Sequence, residues 1–459
     1  MWKTFEYAFV VLAVVMVVLG GAAAIVAPTQ ADEDRPIAFD PPTPAEFEFA
    51  EPSTDGLARV DGESFRSVAA AVDAAEPGDT VVLTGRFTER VVVDTPNLTI
   101  TSAPGSIAAI DGGGEGNVLT LQGDGITVRR LWIRNSGYDP AENDAGIWVN
   151  SSNARIVDSR VSASTFGVWV DGVDGVVVRN NTIVGREEVR PPSHRGNGIQ
   201  LWDTEGTLVE DNRITDVRDG IYYSWATDVL ARGNTMWDLR FGVHYMYSDD
   251  CRLEDNLAFD NDVGYALMVS ADLEIVDNVA VNNTGQSGQG VLLKDIDDTL
   301  VRNNSLVGNR KGLFIYNSLN NTIAGNLVLA NDLGVHVTAG SVEEYVYGNS
   351  FIRNDQPMVA VMAEQVAWNA TGRGNYWSNA RTVDLDRDDV SEVPYQPAGV
   401  VEYTIQQHPQ AIVFAYSPAF DAIRLAESSF PVVESPGVVD HHPLVDPPHK
   451  EWRRYYGDR

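Results

Sequence analysis

The chain has 459 residues, with 65 Asp or Glu against 33 Lys or Arg, so its formal net charge at pH 7 is −32. Lysine occurs only at Lys3, Lys294, Lys311 and Lys450. Such a surface argues strongly against nucleic acid as a partner, because binding to phosphates needs the opposite charge. The acidic residues are spread evenly, which favours adaptation to high salt, where screening removes self-repulsion, over an acidic docking surface.

The N-terminal segment contains an uncharged apolar run over residues 8–27, whose 20 residues match the length needed to cross a bilayer. The small residues Ala22, Ala23 and Ala24 and the later Thr29-Gln30-Ala31 would support signal cleavage. We expect residues 1–31 to be a signal peptide or an N-terminal membrane anchor, with export in either case. Residues 32–56 are predicted to be an acidic, Pro-rich linker.

A short helix is predicted over the segment FRSVAAAVDAA, with Ser64 as its N-cap and Pro77-Gly78 at its end. This helix precedes a series of repeats. A solenoid needs a cap over the open end of its core, and the helix stands where that cap is expected.

The main feature of the chain is a phrase of glycine, an apolar residue, any residue and a second apolar residue. It begins at residues 146, 167, 198, 220, 242, 264, 290, 312 and 334. Most steps are 22 residues, a period that indicates a solenoid. The unit is too short for helix pairs and rich in Val, Ile and Thr alternating with polar residues. We therefore predict an all-β fold, a right-handed parallel β-helix over residues 57–380 with three strands per coil.

A second phrase keeps the same period and carries an asparagine in contexts such as VRNNTI. Asparagines at one repeating turn are expected to stack their amides along the solenoid and to satisfy backbone groups at a corner. They are Asn181, Asn212, Asn234, Asn256, Asn278, Asn304, Asn326 and Asn349.

Two repeats are longer than 22 residues, and both insertions precede a glycine phrase, in GREEVRPPSHRG and NNTGQSGQ. Both loops should therefore leave the same edge of the solenoid. Insertions tend to cluster on the functional face of a repeat protein, so the glycine-phrase strands are the first candidates for a site.

The second and fourth residues after each glycine are predicted to face outward. This face is rich in aromatic residues, Met and His, which usually marks a partner or ligand surface. The predicted partner-binding residues are Trp169, Trp202, Tyr222, Phe314, Tyr316 and His336. Met236, Met358 and Met362 are predicted to lie in the core, as is the single cysteine, Cys251.

His244, Met246 and Met268 form a candidate copper site within this face. The first two lie on one side of a strand, about 6–7 Å apart, and Met268 lies one coil above Met246, at about 4.8 Å. Two thioethers and an imidazole are soft ligands that select Cu(I). The alternative is that both methionines lie flat in an aromatic patch. His336 is about 19 Å away and cannot join, whereas His194 could reach over the face from its loop.

The segment DLDRDDVSE is a candidate calcium site. Asp384, Asp386, Asp388 and Glu392 stand at alternating positions, but Asp389 occupies the place where such loops normally carry glycine. The alternative is a solvated acidic turn. Residues 381–459 are otherwise predicted to form a C-terminal cap and tail.

Two features of that C-terminal region are less regular. A helix is expected to begin at Ser417-Pro418. Asp440, His441, His442 and His449 form a weaker candidate metal cluster, because their spacing is irregular.

Several longer phrases resemble the NosD family, the exported maturation factors of nitrous oxide reductase: GNGIQLWDT, DGIYYSWA, FGVHYMYSDDC, KGLFIYNSLNNTI, GNYWS and SPAFDAIRLAE. The resemblance runs from about residue 57 to 444. It implies a β-helix protein of denitrification, on the outer side of the cytoplasmic membrane. Such a protein works with an ABC-type ATPase and permease and with a copper chaperone to supply copper to the reductase. The low lysine content suggests a halophilic relative.

A polysaccharide lyase, epimerase or hydrolase is the main rival, since sugar enzymes share this fold. It needs a carboxylate pair in an aromatic groove, whereas only Asp171 is acidic among the outward positions. Asp216 with Asp219 and Asp249 with Asp250 lie beside corners, where Asp is common. A passive surface adhesin is a third possibility, but it would not need the HYM phrase. We therefore predict a non-enzymatic copper-delivery protein.

Overall fold

The computed structural model describes residues 37–39, 51–338, 340–362, 364–370, 372–414, 417–420, 422–423 and 437–456. The predicted signal or anchor segment and most of the linker lie outside these residues. The described residues from 51 to 452 belong to one compact unit, and residues 37–39 and 453–456 belong to a second, small one. No helix in the described ranges is long and apolar enough to span a bilayer.

The larger unit is a parallel β-helix, as predicted. Three long sheets run along it. From Thr80–Thr84 onward, each strand in these sheets pairs with the strand three further along the chain, so that successive coils stack. The sheets contain 14, 13 and 12 strands over the described residues.

The first sheet comprises Glu63–Phe65, Leu57–Val60, Thr80–Thr84, Thr99–Ser102, Thr127–Arg129, Arg155–Val157, Val177–Arg179, Leu208–Glu210, Leu230–Arg232, Arg252–Glu254, Glu274–Val276, Leu300–Arg302, Thr322–Ala324 and Tyr345–Tyr347. The second comprises Arg86–Thr88, Ala108–Asp111, Leu131–Arg134, Arg160–Ser162, Thr182–Val184, Arg213–Thr215, Thr235–Trp237, Leu257–Phe259, Val279–Val281, Ser305–Val307, Leu327–Leu329, Ser350–Ile352 and Tyr376–Trp377.

The third sheet contains the glycine phrases and is called the glycine-phrase sheet below. Its strands are Val91–Val93, Leu119–Leu121, Ala145–Val149, Phe166–Asp171, Ile199–Trp202, Asp219–Ser224, Phe241–Met246, Val263–Ala271, Gln289–Asp297, Lys311–Tyr316, Leu333–Val337 and Gln356–Ala360. Both long loops enter it from the second sheet, so they leave one edge of the solenoid as predicted.

The repeated glycine has a steric cause. A Cβ built on Gly242 would lie 2.6 Å from the carbonyl oxygen of Gly264 in the next coil. The first and third residues after glycine point into the core as predicted, and Val243 and Tyr245 are fully buried. Tyr245 stacks on Tyr223 with ring centroids 4.0 Å apart. Cys251 and the three predicted core methionines are also buried.

The asparagine ladder is confirmed. From Asn212 onward, each amide oxygen accepts hydrogen bonds from the backbone and the side chain of the asparagine one coil earlier, as Asn256 Oδ1 does from Asn234 at 3.0 and 2.9 Å. The ladder continues to Asn375 and ends at the buried carboxylate of Asp440, which accepts from the Asn375 backbone at 2.7 Å. A second ladder, not predicted, lines another corner through Asn261, Asn283, Asn309, Asn331 and Asn354.

The cap helix is Val68–Asp73, and its N-cap is Ser67, not Ser64 as predicted. Glu63–Phe65 instead pairs antiparallel with Leu57–Val60, which places Ser64 in a strand. The Ser67 hydroxyl accepts from the Ala70 backbone at 3.2 Å and donates to Glu89 at 2.8 Å.

The C-terminal elements are a three-stranded sheet, a helix and short 3-10 turns. The strands are Gln365–Ala367, Tyr395–Ala398 and Gly437–Asp440, the helix is Val400–Gln407, and the 3-10 turns are Pro409–Phe414 and Trp452–Tyr456. A further 3-10 turn, Pro192–His194, lies in the first long loop of the β-helix. Ser417 caps the helical residues 418–420, because its hydroxyl accepts from the Phe420 backbone at 3.3 Å. The rest of that predicted helix lies largely outside the described residues.

Candidate functional site

The outer face of the glycine-phrase sheet is more covered than predicted. At the second position after glycine, Gln200, His244 and Leu292 each expose less than a tenth of their surface, and Ala266 none. The physical reason is the spacing of coils at about 4.8 Å, which lets large side chains stack on one another and exclude water.

The predicted partner-binding residues divide into packed and exposed groups. Trp169 is buried between Trp148, on which it stacks at 5.1 Å, and the edge of Phe166. Phe314 stacks on His336 at 4.6 Å. Tyr222 is half-buried, whereas Trp202 and Tyr316 are each 42% exposed. Only those last two stand out from the surface as the sequence suggested.

His244 is held by a buried carboxylate on the preceding coil. Its Nδ1 lies 3.1 Å from Oδ2 of Asp219, whose side chain is fully buried at the start of the strand Asp219–Ser224. Arg240 donates to both oxygens of the same carboxylate, from Nε at 2.8 Å and from Nη2. Burial alone would raise the pKa of Asp219, but the hydrogen bonds from His244 and Arg240 outweigh it and hold that pKa below its usual value.

This pairing determines which nitrogen of His244 is available. An ionised carboxylate only accepts hydrogen bonds, so Nδ1 must donate to Asp219, and in the neutral ring Nε2 carries the lone pair. That Nε2 is buried and has no hydrogen-bond partner among the described residues. The edges of Tyr222 and Phe241 contact the ring at centroid distances of 4.7 and 5.0 Å. A histidine oriented in this way by a carboxylate is typical of metal ligands.

Met246 and Met268 are direct neighbours on adjacent strands, as the 22-residue step predicted. Ser224 lies one coil before Met246, and Lys294 one coil after Met268. Both methionines are half-buried. Met268 also packs against the apolar cluster of Val263, Ala266 and Leu292, which is the contact expected of the alternative, an apolar patch.

Neither His336 nor His194 lies on the two strands that carry this group. His336 is four strands away in register, and burial, followed by the charge of Lys311, lowers its pKa to about 4. His194 is exposed in the turn Pro192–His194 and lines a small cavity with Tyr138 and Asp216. No member of the candidate copper site lines that cavity.

Three of the four carboxylates predicted to bind calcium come together. Oxygens of Asp384, Asp386 and Asp388 lie within 4.8 Å of one another. The negative charge of Asp388, followed by burial, raises the pKa of Asp386. Glu392 is not part of this group, and its carboxylate accepts from the Leu385 backbone at 3.1 Å.

The other candidate clusters have structural partners. Asp440 accepts from the indole of Trp377 at 2.9 Å and from the His442 backbone at 3.0 Å, and His449 Nδ1 lies 2.8 Å from the Ser350 hydroxyl. Asp216 lies 3.8 Å from Arg195, whereas the buried Asp219 is paired with Arg240 and His244.

The sequence interpretation missed one group of residues. Trp225, Tyr247 and Val269 occupy the corner directly after the fourth position, with positive φ angles of 58°, 54° and 52°. The same corner carries Asp203, Asp295 and Asn317 in other coils, also with positive φ. Asp and Asn tolerate this conformation, whereas for a bulky or β-branched residue it is an outlier. Comparing the fifth residue after each glycine, in addition to the second and fourth, would have shown that Trp225, Tyr247 and Val269 stand where several other coils carry Asp or Asn.

Comparison with known families identifies close relatives. Residues 179–382 match the family model described as "Periplasmic copper-binding protein (NosD)". A protein from Pseudomonas aeruginosa named "Probable ABC transporter binding protein NosD" is 41% identical over 421 residues, covering 88% of this chain and 93% of its own length. A protein of the same name from Stutzerimonas stutzeri is 35% identical over 383 residues, covering 79% of this chain and 86% of its own.

Solved structures resemble the chain at low sequence identity. The periplasmic alginate epimerase AlgG is 13% identical with a TM-score of 0.40, covering 74% of this chain and 95% of its own. A PL6 alginate lyase in complex with a trisaccharide is 13% identical with a TM-score of 0.45, covering 68% and 79%.

Proposed function

The chain belongs to the NosD family, and from that premise we propose that it is an exported, non-enzymatic maturation factor that helps deliver copper to nitrous oxide reductase. The description of the matching family supports a copper-binding role outside the cytoplasm. The names of the relatives support association with an ABC transporter. Its proposed partners are the permease and ATPase of that transporter, a copper chaperone and the reductase. The exposed Trp202 and Tyr316 are candidates for contact with them.

The proposed copper ligands are His244 Nε2 and the thioether sulfurs of Met246 and Met268. The observation that carries this proposal is the buried, unpartnered Nε2, oriented by the hydrogen bond from Nδ1 to Asp219. A buried polar atom without a partner costs free energy, and a bound ion would offset that cost. Imidazole and thioether together favour Cu(I) over harder divalent ions. Three neutral ligands on an outer face suit an ion that is held in transit.

The first experiment is an anaerobic Cu(I) titration of the full-length protein against a chromophoric Cu(I) chelator. His244→Ala and the pair Met246→Leu/Met268→Leu should each weaken binding at least about tenfold. Asp219→Asn should weaken it by about 10-fold to 100-fold, the usual effect of losing a residue that orients a ligand. Circular dichroism would establish that each variant keeps the fold.

His336→Ala is the matched control, because it removes a half-buried histidine from the same column four coils away. Its affinity for Cu(I) should equal that of the wild type. Unchanged affinity in a folded His244→Ala variant would contradict the proposed site and leave the methionines as part of an apolar patch.

The alternative function, a polysaccharide lyase, epimerase or hydrolase, is less well supported. Such chemistry needs an acid and a base that reach the substrate from an open groove. Asp219 is wholly buried behind Arg240 and His244, and Asp216 lies beside Arg195. Neither arrangement offers a pair of accessible carboxylates. Asp249 and Asp250, the other pair considered, are exposed, but Oδ1 of Asp249 accepts a hydrogen bond from the Ala271 backbone at 2.8 Å.

A second proposed ion site involves calcium, with Asp384, Asp386 and Asp388 as ligands. Their convergence concentrates negative charge that a hard cation would neutralise, and oxygen is the donor that Ca²⁺ prefers. Adding Ca²⁺ should raise the melting temperature of the wild type but not of Asp386→Asn/Asp388→Asn. The exposed Asp94→Asn provides a control for general surface charge. An equal response of all three proteins would argue for a solvated acidic turn.

A further inference from the structure

A groove of about 520 Å³ lies along the corner that follows the glycine-phrase strands. Its floor includes Trp225 and Tyr247, whose rings stack at a centroid distance of 4.8 Å and an interplanar angle of 14°. Both are large aromatic side chains and yet are 55% and 45% exposed. We call this stacked pair the aromatic shelf.

The walls of the groove are acidic. Asp203, Asp249, Asp295 and Asp297 line it, and no basic side chain does so among the described residues. None of the four carboxylates has a salt-bridge partner in the described part of the chain. Asp249 and Asp297 each use Oδ1 to accept from a backbone amide of the next coil, at 2.8 and 2.9 Å. Each therefore retains a second oxygen.

The aromatic shelf occupies an unfavourable backbone position. Trp225 and Tyr247 have positive φ, as does Val269 in the coil after them, whereas Asp203 in the coil before and Asp295 two coils after place aspartate at this corner. Bulky side chains are disfavoured in the left-handed conformation, so keeping them there costs conformational free energy. Backbone outliers of this kind concentrate at functional sites. The groove, its charge and its exposed rings are the observations that point to a ligand.

We propose that this groove binds a basic segment of a partner protein, with an arginine lying on the aromatic shelf and paired with the surrounding carboxylates. A guanidinium is attracted to the face of an aromatic ring and forms paired hydrogen bonds to carboxylates. The acidic walls would repel an anionic polysaccharide or a membrane surface rich in anionic lipid. A neutral glycan could stack on the shelf but would leave the carboxylates uncompensated.

The groove lies next to the proposed copper site but does not depend on it. Tyr247 directly follows Met246 and Val269 directly follows Met268, so a partner bound here would sit beside the two thioethers. None of the groove residues is a proposed copper ligand. Failure of copper binding and failure of peptide binding are therefore separate results.

The test uses isothermal titration calorimetry of the full-length protein with a peptide of alternating arginine and glycine. A peptide with citrulline in place of each arginine keeps the shape and removes the charge. The double variant Trp225→Asn/Tyr247→Asn removes the shelf and installs a residue that the same corner already carries at Asn317, so the fold should be kept. Tyr345→Ala is the control, because it removes a tyrosine that is 50% exposed on the first sheet.

We expect the arginine peptide to bind the wild type and Tyr345→Ala equally. The double variant and the citrulline peptide should each reduce affinity about fivefold or more, the loss of one cation–aromatic contact. Asp249→Asn should also weaken binding, and high salt should abolish most of it.

Four results would overturn the proposal. The first is that the arginine peptide does not bind the wild type. The second is that it binds the double variant as tightly as the wild type, which would leave only general attraction to an acidic surface. Equal affinity for the citrulline peptide would remove the role of charge. The last is that a neutral oligosaccharide binds the wild type more tightly than the arginine peptide does and does not bind the double variant. That result would assign the aromatic shelf to a glycan.

Discussion

Individual side chains in this β-helix acquire their properties from the coils above and below them. Glu344 stands in a corner column whose members in other coils are neutral, among them Cys251, Leu273 and Asn321. It is 5% exposed and accepts a hydrogen bond from Asn321 at 3.1 Å. Burial raises its pKa to about 8, although the bonds with Asn321 act in the opposite direction. At neutral pH the carboxyl is therefore largely protonated.

Glu344 should make folding stability depend on pH. Between the ordinary glutamate pKa of 4.5 and the folded value of about 8, the native chain keeps a proton that the unfolded chain releases. Stability from this residue is therefore fully present below the lower value and falls as pH rises to the upper one. Glu344→Gln should remove this decline and stabilise the protein by a few kcal/mol at pH 8, since each pKa unit corresponds to about 1.4 kcal/mol.

Urea unfolding at several pH values would measure the effect, with Glu343→Gln, at the adjacent exposed residue, as the control. The control should show the same pH profile as the wild type. A profile that Glu344→Gln does not flatten would mean that the carboxyl is ionised in the folded protein.

At the scale of elements, stability is concentrated in the corners. At each turn, the side chain of a ladder asparagine forms hydrogen bonds with backbone groups that have no backbone partner. Because the coils stack in parallel, the same hydrogen bonds recur in every coil of the ladder. Asn256 illustrates this: its Oδ1 accepts two hydrogen bonds and its Nδ2 donates to the Ala231 carbonyl at 2.9 Å and to Asn278 at 3.0 Å. No other side chain of similar size has this combination of donor and acceptor groups except glutamine, which is longer.

Asn256→Ala should therefore destabilise the β-helix by about 3 kcal/mol, because it leaves the Asn234 backbone amide buried without a partner. Asn150→Ala, at an exposed asparagine of the glycine-phrase sheet, should change the free energy of unfolding by less than about 0.5 kcal/mol. Chemical denaturation of both variants measures the difference. Equal stability would show that the corner can rearrange or admit water in place of the amide.

The whole molecule carries a net charge of −32, which is expected to oppose the compact state at low ionic strength. The ladder asparagines and the apolar core side chains are neutral, so this repulsion resides mainly in the surface carboxylates. Screening shortens their range from about 10 Å at 0.1 M salt to about 3 Å at 1 M. The proposed adaptation to high salt therefore depends on the net charge of the whole molecule and not on any single residue.

The melting temperature should accordingly rise continuously as KCl is increased to molar concentrations. Differential scanning calorimetry in KCl and in sucrose separates charge screening from solvent exclusion, because sucrose carries no charge. A melting temperature that responds to sucrose but not to KCl would contradict a destabilising surface charge.

The sequence by itself determined the β-helix, its 22-residue coil, the pairing of Met246 with Met268 and the main asparagine ladder. These features repeat along the chain, so comparing one coil with the next is enough to find them. The second ladder repeats as well and was open to the same comparison. The N-cap of the cap helix was misplaced because the pairing of Glu63–Phe65 with Leu57–Val60 competes with the helix for Ser64.

Only the tertiary structure decided which outward residues stay accessible and which nitrogen of His244 is available. Those properties depend on side chains from different coils, such as Asp219, Arg240 and Phe241 around His244, and on the direction each side chain takes. A repeat fixes the position of the backbone, but burial is a sum over neighbours whose sizes differ from coil to coil. The exposed aromatic shelf and the buried Trp169 therefore could not be distinguished from sequence periodicity.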